Sequence, residues 1–196
     1  ITIATASSGW KPLVAITTVG ITTQGAMKAA EVLEAAGYET ITFHAIGPGG
    51  RAMEQMMKEG IIGAVLDYST IEVSNEMHHA LLAGGPDRLT TAGKLGLPQV
   101  LCPGAIEVLV YNEPETVPPP FNTRTLIRHS PQITDVRLNK EEMAEVGKEV
   151  ARRPPLAPLA YRPPDPGGRR PRPPPADPRM SPPAEAVAAA APPPEP

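Results

Sequence analysis

The stretch "HAIGPGGRAMEQMM", residues 44–57, places three glycines and an arginine between a β-branched run and a helical pattern. Gly47, Gly49 and Gly50 would let a ligand approach the backbone, and N–H groups at the start of the following helix would face it. Arg51 adds a planar fork of donors suited to phosphate or carboxylate. These residues therefore indicate a site for a small anion. The alternative is a glycine-rich turn between a strand and a helix that binds nothing.

The spacing of these glycines differs from that of the established phosphate-binding loops. They run G-x-G-G, whereas the dinucleotide fingerprint is G-x-G-x-x-G. The pattern GxxxxGK[ST] is absent from the chain. The loop is therefore a candidate binding site, but its sequence does not identify the ligand.

Further candidate residues follow other predicted strands, at "VGITTQG" (19–25), "DYSTIE" (67–72) and "CPGAIE" (102–107). In an open parallel sheet, ligands bind outside the carboxyl ends of the strands, so these junctions should meet. Thr22 and Thr23 are placed to begin a helix and to direct hydroxyl groups at a ligand. The candidate ligand-binding residues are Gly20, Thr22, Thr23, His44, Gly47, Gly49, Gly50, Arg51, Asp67, Thr70, Pro103 and Gly104.

The sequence assigns no catalytic residues. No Gly-x-Ser-x-Gly elbow is present, and no His, Cys and Asp spacing matches a metal site. One alternative function is an unidentified hydrolase or transferase at the same cleft, with Asp67, Glu72 or His44 as acid or base. Another is a protein-interaction module without catalysis. Cys102 could be a nucleophile, but a buried thiol is the more common role of a lone cysteine.

The elements that must position these residues alternate between two patterns. Apolar, β-branched runs predict a buried strand at residues 13–19 and further strands at 38–45, 61–69 and 97–104, with a helical pattern after each of the first three. Residues 69–84 predict one of these helices, and residues 124–131 predict a fifth strand. A last helix begins at Asn139. This alternation predicts an α/β fold with an open, mainly parallel, doubly wound sheet of flavodoxin or Rossmann type.

Composition excludes several classes of function. The formal charge of −3 argues against general nucleic-acid binding. No run reaches the roughly 18 apolar residues of a membrane-spanning helix. A single cysteine excludes a disulfide framework and favours a reducing cytoplasm.

Composition also divides the chain. Residues 153–196 hold 17 of the 27 prolines and few large apolar side chains, so we expect a disordered tail. PxxP motifs there, such as Pro155–Pro158 and Pro171–Pro174, make a ligand for proline-binding modules the functional alternative. Pro, Ala, Arg and Gly dominate the segment. Translation of a GC-rich gene in the wrong reading frame gives such a composition, which is a further interpretation of the tail. We therefore expect three segments: a linker or remnant of an upstream domain at 1–10, an α/β domain at 11–152 and the tail at 153–196. If the tail is out of frame, the α/β domain is truncated at its C-terminal end.

Three long segments carry a resemblance to a known family. They are "KPLVAITTVGITTQGAMKAAEVLEAAGYETITFHAIGPGGRAMEQMMKEG", "GAVLDYSTIEV" and "GGPDRLTTAGKLGLPQVLCPGAIEVLVY". Together they resemble, over residues 11–152, the second half of the tomato mosaic virus resistance protein family, whose members are mostly uncharacterised bacterial and fungal proteins. The chain departs from the family pattern at Glu107, where Asp is usual, at Ser130, where Asn is usual, and at Pro48.

The resemblance implies a function and partners. Family members consist of two α/β domains in tandem, and the resistance protein binds ATP and blocks viral RNA replication through protein contact. ATP contacts belong mainly to the first domain, which would be missing from this fragment. The chain would then be the second domain of a protein that binds a nucleotide or small anion, and we expect a homo-oligomer. The family continues past residue 152 with a further strand and helices, which predicts an open sheet edge here.

Overall fold

A computed structural model describes residues 13–153, and the structural statements below concern this part of the chain. The elements are β1 (Leu13–Thr18), α1 (Thr23–Ala35), β2 (Glu39–His44), α2 (Pro48–Lys58), β3 (Ala64–Ser69), α3 (Ile71–Met77), α4 (Thr91–Leu95), β4 (Gln99–Gly104), β5 (Val108–Tyr111), β6 (Leu126–Ser130), β7 (Ile133–Arg137) and α5 (Lys140–Arg152). Single 3-10 turns span Gly20–Thr22, Pro114–Thr116 and Phe121–Thr123.

Four parallel strands form the main sheet in the order β2-β1-β3-β4. On one face, Ala26 and Leu33 of α1 join the core with Val14 and Ile16. The opposite face is covered by α2 and α4, which contribute a second core cluster around Met53. Helices cover both faces because the crossover from β1 to β2 and the crossover from β2 to β3 run in opposite directions along the sheet, and right-handed crossovers then place α1 and α2 on opposite faces. The predicted α/β class with a mainly parallel sheet is confirmed.

A second sheet of three antiparallel strands, in the order β5-β7-β6, was not predicted. The fifth predicted strand, 124–131, corresponds to β6, but it lies in this second sheet and not in the parallel one. Only Pro131 and Gln132 connect β6 to β7, and a two-residue connection joins antiparallel strands. β5 and β7 have only four and five residues, too few for a clear periodic signal.

The helix predicted over residues 69–84 is wrong in its extent, because α3 ends at Met77. The side-chain amide of Asn75 donates to Val108 O over 2.9 Å, and its oxygen accepts from Val110 N–H over 3.0 Å. The chain then turns through His79, whose φ is 52°, and Leu81 N–H donates to Val110 O. Contacts to β5 therefore end the helix where its own sequence pattern would continue.

The predicted start of the last helix at Asn139 is confirmed. Asn139 Oδ1 accepts from Glu142 N–H over 2.9 Å, and Glu142 Oε2 accepts from Asn139 N–H over 2.8 Å, which is a complete capping box. Val146 of α5 is fully buried in a core cluster with Leu109 and Val136 of the second sheet.

None of the described helices is long and apolar enough to span a membrane. The predictions for residues 1–10 and for the proline-rich tail after Arg153 lie outside the described residues.

Candidate functional site

A cleft of about 380 Å³ opens at the carboxyl ends of β3 and β4, beside the start of α1. Its lining residues are Ile21, Thr22, Gly25, Tyr68, Cys102, Pro103 and Gly104. Thr22, Pro103 and Gly104 are three of the predicted site residues, and the parallel strands bring them together because their carboxyl ends share one edge of the sheet.

A network of hydroxyl groups fixes Thr22 at the cleft. Thr22 Oγ1 lies 3.0 Å from Thr18 Oγ1 and 3.0 Å from Ser69 Oγ, and it accepts from Val19 N–H over 3.0 Å. Thr23 Oγ1 donates to Val19 O over 3.0 Å. Hydrogen bonds to both β1 and β3 therefore hold the first turn of α1, so that this rim of the cleft is preorganised.

Tyr68 forms a wall of the cleft and packs against Gly25. A Cβ atom at Gly25 would lie 2.7 Å from Tyr68 Cζ, well inside van der Waals contact. Glycine at this position of α1 is therefore needed for the ring to lie where it does.

Cys102 contributes a half-buried thiol to the cleft. Burial raises the pKa of this thiol above its ordinary value, and the negative charge of Asp67 raises it further. The thiolate is thus disfavoured, which argues against Cys102 as a nucleophile.

The glycine-rich loop binds a carboxylate of the protein itself, the side chain of Glu72. Gly47 N–H donates to Glu72 Oε1 over 2.6 Å, and Gly50 N–H donates to the same atom over 3.1 Å. A Cβ atom at Gly50 would lie 2.6 Å from Arg88 Nε, and Gly47 has a φ of 90°. Close packing around Glu72 therefore accounts for these two glycines without any external ligand.

Glu72 belongs to a buried cluster of charged residues around Arg88, which is 1% exposed. Arg88 Nε donates to Glu72 Oε2 over 2.7 Å, Nη1 donates to Asp67 Oδ2 over 3.3 Å, and Nη2 also bonds to Asp67. Glu54 lies 3.5 Å from Nη1 and accepts from Leu89 N–H. One guanidinium thus faces three carboxylates in the interior.

The electrostatics of this cluster follow from burial and pairing. Burial raises the pKa of Glu72, although Arg88 and the two glycine amides oppose this shift. Burial alone would lower the pKa of Arg88, but Asp67 and Glu72 raise it overall, so the guanidinium stays charged. Asp67 and Glu72 are both 0% exposed. An acid or base role for either residue would require this cluster to open.

Sequence reasoning did not identify Arg88 and Glu54 as members of a cluster. The available signal was that Glu54 lies beside Met53 and Met57 on the apolar face of its helix, where a charge needs a partner. Arg88 follows two glycines in "GGPDRL", which allow the loop to turn inward.

The other predicted residues are dispersed along the same edge of the sheet. His44 is exposed at the end of β2, and Gly20 is exposed in the first 3-10 turn. Arg51 is exposed, and its Nη1 donates to Ala83 O over 3.1 Å. Thr70 Oγ1 donates to Cys102 O over 3.2 Å. Gly49 lies at the start of α2, where a Cβ atom would collide with the His44 carbonyl. Their part in ligand binding stays a prediction.

Among residues 13–153, no group of three or more His, Cys, Asp or Glu side chains is arranged to hold a metal ion. In the charged cluster, the guanidinium of Arg88 is the cation that pairs with the carboxylates.

Comparison with known proteins identifies what the chain is similar to. The C-terminal domain of UPF0261, described as an uncharacterised protein family, matches residues 11–157. A UPF0261 protein of Clostridium tetani is 44% identical over 142 residues, which cover 72% of this chain and 35% of that protein. A UPF0261 protein of Rhizobium meliloti is 36% identical over 140 residues, or 71% of this chain and 35% of that protein.

The predicted resemblance to the tomato proteins is also found. The ToMV resistance protein Tm-1(GCR237) of Solanum lycopersicum is 33% identical over 138 residues, which cover 70% of this chain and 18% of that protein. The chain therefore spans about a third of the length of the bacterial relatives named above, and less of the tomato protein.

Proposed function

Because this chain belongs to the UPF0261 family through the C-terminal domain of that family, we propose that it is one domain of a longer protein that binds a nucleotide or another small anionic ligand. In this proposal the domain contributes the cleft formed by the residues around Thr22 and Tyr68. The observation that carries it is the position of that cleft, at the carboxyl ends of β3 and β4 beside the start of a 13-residue helix. Ligands of open parallel sheets bind in this position.

The preorganised rim of the cleft supports the proposal. Thr22 is hydrogen-bonded to β1 and β3, and Thr23 to Val19 directly after β1, so a ligand meets a fixed surface and little entropy is lost in ordering it. The glycine-rich loop has an indirect role here, because its amides bind Glu72 and thereby hold the start of α2 against α3.

The remaining parts of the proposal concern the longer protein. We propose that the other domain supplies most of the contacts to ATP and completes the cleft from its open side. We also propose that the protein acts in the cytoplasm and forms a homo-oligomer. Supporting this, the bacterial relatives are about three times as long as the matched segment.

Titration calorimetry of the intact longer protein with ATP tests the proposal. Gly25→Ala should weaken binding, because the new Cβ would displace the Tyr68 ring into the cleft. Gly147→Ala is the matched control, since it also replaces a helical glycine but meets no atom within 4 Å. Equal affinities for both variants and the unaltered chain, or no heat of binding at all, would contradict a role for this cleft.

A protein-interaction module is the second candidate function. It is favoured by exposed apolar side chains, with Ile21 69%, Val32 54% and Val100 54% exposed. The name of the tomato relative, a resistance protein, gives this reading further support. The hydrolase or transferase alternative has less support, because only His44 of its three proposed residues is exposed.

A further inference from the structure

We propose that this cleft binds an uncharged planar ring of the ligand, of the nucleobase class, and not its phosphate groups. The inference rests on the proposed function and specifies which part of the ligand this domain recognises. It reverses the expectation, drawn from the glycine-rich loop, that the domain binds the anionic part.

The first argument is charge. None of the seven lining residues has a cationic side chain. Arg88 is 1% exposed and paired with carboxylates, and Arg51, whose guanidinium donates to Ala83 O, does not line the cleft. A phosphate in this cleft would therefore lack the Lys or Arg partner that normally offsets its desolvation.

The side-chain charge that acts on the cleft has the wrong sign for phosphate. Asp67 lies in β3 directly before Tyr68, and its negative charge acts on the Cys102 thiol. The amides of the glycine-rich loop, which would otherwise attract an anion, are bound to Glu72. Both effects favour a neutral group at this position.

The second argument is the shape and character of the walls. Ile21 is 69% exposed at the mouth, and Tyr68 and Pro103 supply further apolar surface. A flat ring would cover this surface and could stack on the tyrosine. The volume of about 380 Å³ lies near the lower limit of small-molecule sites, which span about 300–1,000 Å³.

Cys102 provides a direct readout, since it is the only cysteine of the chain and lines the cleft. The full chain is alkylated with iodoacetamide in the presence of adenosine, inorganic triphosphate or ATP at matched ionic strength, and the modified fraction is followed by mass spectrometry. We expect adenosine and ATP to slow alkylation severalfold and inorganic triphosphate to leave it unchanged.

Two isoleucine variants provide the matched comparison. Ile21→Ser removes an apolar wall and should weaken protection by adenosine roughly five- to tenfold. Ile127→Ser, at a 46% exposed position of β6, should leave it unchanged.

The outcomes separate this inference from the proposed function. Protection by triphosphate without protection by adenosine would overturn the ring inference, while a nucleotide site would stand. Absence of protection by all three probes would overturn both. Equal effects of the two isoleucine variants would place the ring outside this cleft and overturn the inference alone.

Discussion

Arg88 Nε donates a hydrogen bond to Glu72 Oε2 over 2.7 Å, although both side chains are almost completely removed from water. The same carboxylate accepts the N–H groups of Gly47 and Gly50. Glu72 therefore joins three segments that are far apart in sequence: α3, the glycine-rich loop and the loop that carries Arg88. The stability of the strand-end region depends on this junction.

Replacing Arg88 should be strongly destabilising. Arg88→Met would leave Asp67 and Glu72 buried without their cation, and we expect a loss of about 3–5 kcal/mol in the free energy of unfolding. Urea denaturation measures this quantity. Arg51→Met, at an exposed position with one hydrogen bond to Ala83 O, should cost less than about 1 kcal/mol. Similar losses in the two variants would contradict the role given to the buried arginine.

Alanine at Gly50 and at Gly147 should change stability in opposite directions. At Gly50 the new Cβ would lie 2.6 Å from Arg88 Nε and would separate the guanidinium from Glu72, so the melting temperature should fall. At Gly147, where no atom lies within 4 Å, alanine should stabilise α5 by about 0.5–1 kcal/mol. A Gly50→Ala protein that melts at or above the temperature of the unaltered chain would show that the loop can accommodate a side chain.

Part of the acid sensitivity should come from Glu142. Its hydrogen bond from Arg124 lowers the pKa of Glu142 from the ordinary value of 4.5 to about 2. Because the folded-state pKa is depressed, this stabilisation is fully present above pH 4.5 and is lost as the pH falls towards about 2. The contribution is about 1 kcal/mol, since the pair is partly exposed.

Glu142→Gln provides the test of this pH dependence. The difference in unfolding free energy between the unaltered chain and the variant should be largest near pH 7 and should shrink between pH 4.5 and about 2. Glu145→Gln, which alters an exposed pair with Lys148, should show a smaller difference. A difference for Glu142→Gln that does not vary with pH would exclude its ionisation as the cause.

The thiol of Cys102 should react slowly. Burial and the charge of Asp67 raise its pKa, so at pH 7.5 alkylation by iodoacetamide should be slower than that of free cysteine. The midpoint of the rate against pH should also lie above that of the same chain in urea. A folded chain that reacts as fast as the unfolded one would show that the cleft gives the thiol no protection.

The sheet edge should promote association. β4 is an edge strand within the described part of the chain, and Val100 on it is 54% exposed. We expect the chain to associate, and Val100→Lys to reduce the associated fraction measured by sedimentation velocity. Ile127→Lys, on the second sheet, should have no such effect. An unaltered chain that sediments as a monomer would contradict both this prediction and the expected homo-oligomer.

The sequence by itself determined the local elements of this protein. β1 to β4 were predicted within three residues of their ends, because β-branched and other apolar residues are concentrated in them. The start of α5 was also predicted correctly, since a capping box depends only on Asn139 and its neighbour three positions later. Signals of this kind lie within a few residues and need no knowledge of the fold.

Only the tertiary structure decided which groups meet. Glu72 lies 25 residues from Gly47, and Arg88 lies 16 residues from Glu72, so no local pattern shows that a buried carboxylate occupies the glycine-rich loop. The same holds for the antiparallel sheet, whose strands β5 and β7 pair across an intervening segment. An anion-binding loop and a loop that packs around an internal carboxylate need the same glycines, because both require close approach to backbone N–H groups.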